Sequence, residues 1–236
     1  MNVTQLYYRA PVTTMVSAMC LGVFVLTALQ SRSLSNVIWG SRLGTQMVLY
    51  GPFVADETFG WLRVVSAGFL HVDLTHLAVN LFMLALIGTE VERFIGSGPY
   101  AVVFAAGLVG SSLSVLAMNF QTPTAGASGA VYALMAVLLA VAYRRHTDLR
   151  APFALIALNI VFTLVSPGVS LWGHVGGLVA GLVVALPVTS TGKKARYVGP
   201  VLVLLVAAVG VLLELSTGYP QLLVSGIVHS SCPHCG

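Results

Sequence analysis

Apolar residues run through this chain in long stretches, each closed by a short cluster of polar or charged residues. Stretches of about 17–22 residues match the length an α-helix needs to cross a bilayer core. Seven of them predict spans at about 11–31, 74–95, 100–119, 126–143, 152–168, 171–189 and 198–215. Connections after the second span are short. The first connection, about 32–73, is long, amphipathic and aromatic, carrying Trp39, Tyr50, Phe53, Phe59 and Trp61, and Gly51 and Pro52 interrupt it. That pattern predicts a segment lying in the membrane interface rather than crossing it.

Composition strengthens the membrane reading. Of 236 residues, 57% are hydrophobic and 8% are charged, against about a quarter charged in soluble domains. Mean hydropathy is +0.93. The net charge of +4 is too small to suggest nucleic acid as a partner, so the implied surroundings are the lipid bilayer. The first run has no small-x-small cleavage site and reads as a span rather than a leader. The basic residues orient the chain. With the N-terminus in the cytoplasm, Arg9, Arg93, Arg144, Arg145, Arg150, Lys193, Lys194 and Arg196 lie inside. Only Arg32, Arg42 and Arg63 then lie outside, as the positive-inside rule expects. The C-terminal tail is extracytoplasmic in this topology. Short loops and the lack of targeting signals suggest a plasma membrane of bacterial type.

Polar side chains within spans are costly unless partnered, so they mark the bundle interior or a wet cavity. One group is His71-Val-Asp-Leu-Thr-His76-Leu-Ala-Val-Asn80. Asp73 suits an N-cap of the second span, His71 sits just before the helix, and His76 and Asn80 share one face. Such a pair can equally hold neighbouring helices together. A second group is Gly126-Ala-Ser128-Gly129 with Tyr132 one turn on. A serine at a helix start has free N–H groups beside it that suit a developing oxyanion. Plain small-residue packing is the competing reading. The third group is His174 with Gly177 and Gly181, a GxxxG that admits a close neighbouring helix. The fourth, at the inner end of the second span, pairs Glu92 with Arg93 as a tie between helix ends.

Taken jointly, these residues suit acyl transfer. Ser128 and His174 both lie within a turn or two of the outer surface. Neutral imidazole is a suitable base for a hydroxyl near pH 7. No Asp or Glu stands at that depth in any span, so a dyad rather than a triad is expected. Tyr132 is placed to stack on the imidazole. His76, Asn80 and the Ser128 amide are candidate oxyanion donors.

The motifs resemble the rhomboid family of intramembrane serine proteases, from about residue 11 to 190. The matching pieces are His71-x4-His76-x3-Asn80, Gly88-x3-Glu92-x3-Gly96, Gly126-x-Ser128-Gly129 with Tyr132, and His174-x2-Gly177-x3-Gly181. Arg63 stands where the family carries the arginine of its tryptophan–arginine loop motif, with Trp61 displaced by one. The resemblance implies an all-α polytopic fold, a six-helix core at 11–190 with 32–73 half-submerged. Residues 1–10 then form a short cytoplasmic N-terminus. Residues 191–215 supply a basic loop and a seventh C-terminal helix, and 216–236 form the tail. It implies Ser128 as nucleophile, His174 as base, and His76, Asn80 and the Ser128 amide as oxyanion donors. His71, Gly126, Gly129, Tyr132, Gly177 and Gly181 are supporting residues. It implies no cofactor, single-pass transmembrane proteins as substrates, and the fifth span with the 166–173 loop as gate and cap. A catalytically inactive relative that binds transmembrane segments is the alternative. In the tail, Cys232 and Cys235 form a CPHC that fits a disulfide, half of a metal site, or redox chemistry.

Overall fold

The computed structural model describes residues 9–166 and 168–216, and these are helical with connecting turns and one isolated β-bridge. The first helix, α1 (Pro11–Ser31), opens with proline at its start, where a missing N–H costs nothing. The 32–73 stretch folds into three short helices, α2 (Arg42–Met47), α3 (Gly51–Asp56) and α4 (Arg63–Ser66). The long helix α5 (Leu74–Ile95) follows, regular except for one π-helical turn at Leu84–Gly88. Then come α6 (Ser97–Met118), α7 (Ser128–Arg144), α8 (Arg150–Val165), α9 (Leu171–Val188) and α10 (Lys193–Ser216).

Five of these helices, α1, α5, α6, α9 and α10, are long and apolar enough to cross a membrane. The spans expected at 126–143 and 152–168 are the shorter apolar helices α7 and α8. At 1.5 Å per residue, the 17 residues of α7 reach roughly 25 Å, less than a full hydrocarbon core. Its first turn is Ser128 rather than residue 126 because Gly126 has φ +124°, which no right-handed helix contains. At the other boundary, α8 stops at Val165, with Ser166 extended ahead of Pro167. Proline disfavours helical geometry in the residue before it.

The central helix is α7. Its residues from Gly129 to Val137 are all buried. Close approach by α9 makes this possible. A Cβ on Gly177 would lie 2.0 Å from the Gly129 carbonyl oxygen, and one on Gly181 would lie 2.5 Å from Ala133 Cα. The GxxxG is thus a contact between backbones. Gly129 serves the same packing toward α6, since its Cβ would meet Ser111 Oγ at 2.3 Å.

The 32–73 stretch braces one end of the bundle. Arg63 is buried and donates to the carbonyls of Thr45 (2.7 Å) and Val48 (3.0 Å), while pairing with Glu57 at 2.7 Å. Trp61 and Phe59 remain exposed. The stretch also grips the loop ahead of α7. Leu49 and Thr124 exchange two backbone hydrogen bonds (3.0 and 2.8 Å), and Gly126 N–H donates to the Ala67 carbonyl at 2.9 Å.

One expectation is corrected at the opposite end. Glu92 does tie helix ends together, but not through Arg93. Its carboxylate accepts from the Val12 and Thr13 amides (3.0 and 2.8 Å) and the Thr13 hydroxyl (2.7 Å). The α1 start exposes orphan N–H groups, and a buried carboxylate satisfies two of them. Arg93 lies 3.9 Å from Glu90 instead. Cys232 and Cys235 lie outside the described residues.

Candidate active site

Three connections meet at the braced end of the bundle: the end of the 32–73 stretch, the loop before α7, and the loop before α9. They surround a cavity of about 570 Å³, lined by His76, Asn80, Gly126, Ser128, Tyr132 and His174 among others. Local sequence sets each piece. Asp73 caps α5 by accepting the His76 amide at 2.8 Å, which places His76 and Asn80 in the first two turns. Ser170 caps α9 by accepting the Gly173 amide at 3.1 Å, which places His174 in its first turn. Ser128 is the first residue of α7, where backbone N–H groups lack intrahelical partners.

Ser128 Oγ and His174 Nε2 are 2.8 Å apart. Tyr132, one turn beyond Ser128, stacks on the imidazole with ring centroids 4.2 Å apart and planes at 17°. His174 is buried, 8% exposed. The other imidazole nitrogen, Nδ1, is 2.7 Å from Thr163 Oγ1 on α8. Tyr132 Oη reaches the same Thr163 oxygen at 2.7 Å.

His76 approaches from across the cavity wall. A Cβ on Gly126 would lie 2.7 Å from His76 Cε1 and 3.8 Å from Ser128 Oγ, so the ring and the hydroxyl flank Gly126. Asn80 is buried and donates one N–H to the His76 carbonyl at 2.9 Å. One N–H of that amide group remains for another acceptor. His71 does not line the cavity. It packs beneath His76, with ring centroids 5.1 Å apart, and its burial, reinforced by the neighbouring His76, pushes its imidazole down to about 3. Burial thus disfavours the charged form of the ring that lies against His76. Gly129, Gly177 and Gly181 lie in the α6–α7–α9 contacts rather than in the cavity wall.

Thr163 was not legible as part of this group. A threonine inside an apolar helix usually bonds back to the carbonyl four residues earlier, and Thr163 does so to Asn159 at 2.8 Å. Nothing in the local pattern says that the same oxygen also meets a histidine on another helix. Asn159 and Ser111, both on the cavity wall, are further polar residues that periodicity alone passes over.

A hydroxyl bonded to an imidazole nitrogen, beside unpaired amides at a helix start, is an arrangement suited to acyl transfer. The family comparison points the same way. Residues 58–191, more than half of the chain, match the Rhomboid domain model. Similar proteins include the Rhomboid protease GluP of Bacillus subtilis (strain 168), 34% identical over 160 residues, 64% of this chain and 31% of that protein. The Rhomboid protease GlpG of Klebsiella pneumoniae is 30% identical over 199 residues, 78% of this chain and 65% of that protein. Human Rhomboid-related protein 3 is 25% identical over 187 residues, 71% of this chain and 43% of that protein. The chain thus spans less than half the length of GluP and of Rhomboid-related protein 3. The match covers α5, α6, α7, α8 and α9, all the helices that carry the cavity, and with the apolar helices it makes this a multi-pass membrane protein of the rhomboid family.

Proposed function

We propose that this chain is an intramembrane serine protease that cuts single-pass membrane proteins in or near their transmembrane segments. The observation that carries the reading is the 2.8 Å contact between Ser128 Oγ and His174 Nε2 inside a cavity at one end of the bundle. Ser128 attacks the scissile carbonyl while His174 Nε2 takes its proton. The C–N bond then breaks as that proton passes to the leaving amine, leaving an acyl-enzyme on Ser128 Oγ. Water, deprotonated by the same imidazole, attacks the ester, and the new acid leaves as Ser128 regains its proton. The Ser128 amide, the His76 ring and the free N–H of Asn80 stabilise the oxyanion of each tetrahedral intermediate. No cofactor enters this scheme.

The substrate must be locally unwound, because a transmembrane helix keeps its amides bonded internally. Helix-weakening residues near the outer face therefore favour cutting. In this scheme α8 and the connection to α9, which ends at Ser170 rather than at the expected 173 because Ser170 caps the helix, form the entry, with the N-terminus cytoplasmic and the site opening to the extracytoplasmic side of a plasma membrane. Residues 11–190 form the working core, and α10 is an added C-terminal helix. The alternative is an inactive relative that binds transmembrane segments.

The test reconstitutes wild type, Ser128→Ala and His174→Ala in liposomes with a single-span reporter whose outer segment is helix-weakened. The proposal expects cleavage by wild type and at least a hundredfold loss in either variant. Equal cleavage by Ser128→Ala and wild type rejects the nucleophile. Binding without cleavage by all three favours the inactive relative.

A further inference from the structure

We propose that Thr163 is a positioning residue that holds His174 in the tautomer needed to accept the Ser128 proton. The inference rests on the protease reading above and adds a residue to it. Three polar atoms surround Thr163 Oγ1: the Asn159 carbonyl oxygen at 2.8 Å, Tyr132 Oη at 2.7 Å and His174 Nδ1 at 2.7 Å. Each contact is too short for two lone pairs to face each other, so each requires a hydrogen between its atoms. The carbonyl has none to give, so Thr163 donates its single hydrogen to Asn159. Tyr132 must then donate to Thr163, and so must His174 through Nδ1–H. With Nδ1 protonated, the neutral ring carries its lone pair on Nε2. The remaining contact, 2.8 Å to Ser128 Oγ, takes its hydrogen from the serine. For a neutral ring, only this assignment supplies one hydrogen to every contact.

Thr163 thereby does for His174 what a carboxylate does in a triad, using a neutral acceptor. It also ties the base to a helix that is otherwise loosely held. Thr163 is the one buried residue of α8. Its oxygen joins α8 to both α7, through Tyr132, and α9, through His174. Tyr132 is restrained in turn, its ring on the imidazole and its hydroxyl on Thr163.

The experiment compares full-length wild type, Thr163→Val and Thr163→Ser by reporter cleavage in liposomes. It also records the 15N shifts of the His174 ring in the wild type. Valine keeps the shape and removes the oxygen, while serine keeps the oxygen. The proposal expects kcat to fall roughly ten- to a hundredfold in Thr163→Val, at or below the lower end of the range of about 10²–10⁴ that a general base supplies, because the base is misoriented rather than removed. KM stays within about twofold, and Thr163→Ser recovers most of the rate. The wild-type ring shows the Nδ1–H tautomer. An Nε2–H tautomer in the neutral wild-type ring overturns the proposal, whether or not the valine variant folds. So does a folded Thr163→Val with wild-type kcat. A wild type that neither cleaves nor reacts with a fluorophosphonate sinks the protease reading instead, and the ring shifts still decide which nitrogen carries the proton.

Discussion

At Gly126 two constraints fall on one residue. Its φ of +124° lies where side chains are strained, and a Cβ there would press into the His76 ring. Gly126→Ala should therefore cost about 1–3 kcal/mol of stability from backbone strain alone, and should cut reporter cleavage more than that loss explains, because His76 is pushed from the cavity. Thermal unfolding and cleavage measured together check this, and unchanged cleavage would remove His76 from the oxyanion role. His71 gives a pH signature. Its imidazole is held down to about 3 from an ordinary 6.5, so the folded state resists a proton that the unfolded chain accepts. The stability it contributes is complete above about 6.5 and is lost as pH falls toward about 3. Unfolding measured across that window should show a shallower slope in His71→Gln than in wild type. An equal slope would mean that other groups carry the acid sensitivity. At this scale Ser128, His174 and Tyr132 could be picked out because serine, histidine and tyrosine are conspicuous in apolar runs. Thr163 could not, because its hydroxyl looks satisfied within its own helix.

The helices were legible wherever length and hydrophobicity settle the matter, as in α1, α5 and α9. Their ends were less so. The start of α7 depends on the left-handed backbone at Gly126, and periodicity carries no sign of φ. The partner of Glu92 depends on which helix end comes to rest beside it, a tertiary fact that nearby Arg93 obscures. The contact of α7 with α9 carries the site geometry. Ser128 and His174 sit on different helices, and their 2.8 Å separation follows from how closely those helices pack. Gly177→Val would drive a side chain into the Gly129 carbonyl. It should destabilise the protein by about 1–3 kcal/mol or more and abolish labelling of Ser128 by a fluorophosphonate. Full labelling in a folded Gly177→Val would show that the pair tolerates helix separation.

The molecule as a whole divides its work between two ends. At one end Glu92 fastens α5 to the start of α1. At the other, the 32–73 stretch is locked by Arg63 and clasps the loop that presents Ser128. The cavity lies at this braced end, where polar groups on α5, α7 and α9 converge. A membrane resists both water and irregular backbone, so such a site needs a rigid rim and a wet interior. That convergence was visible in outline from the order and spacing of the motifs, but the clasp between the 32–73 stretch and the α7 loop was not. It consists of backbone hydrogen bonds, which any residue can make. The most direct measurement is to treat the full chain in a bilayer with a fluorophosphonate and locate the adduct by peptide mass spectrometry. A nucleophile at Ser128 activated by His174 predicts one adduct, on Ser128, strongly reduced in His174→Ala. An adduct on another serine, or cleavage of the reporter that persists after Ser128 is fully modified, would contradict it.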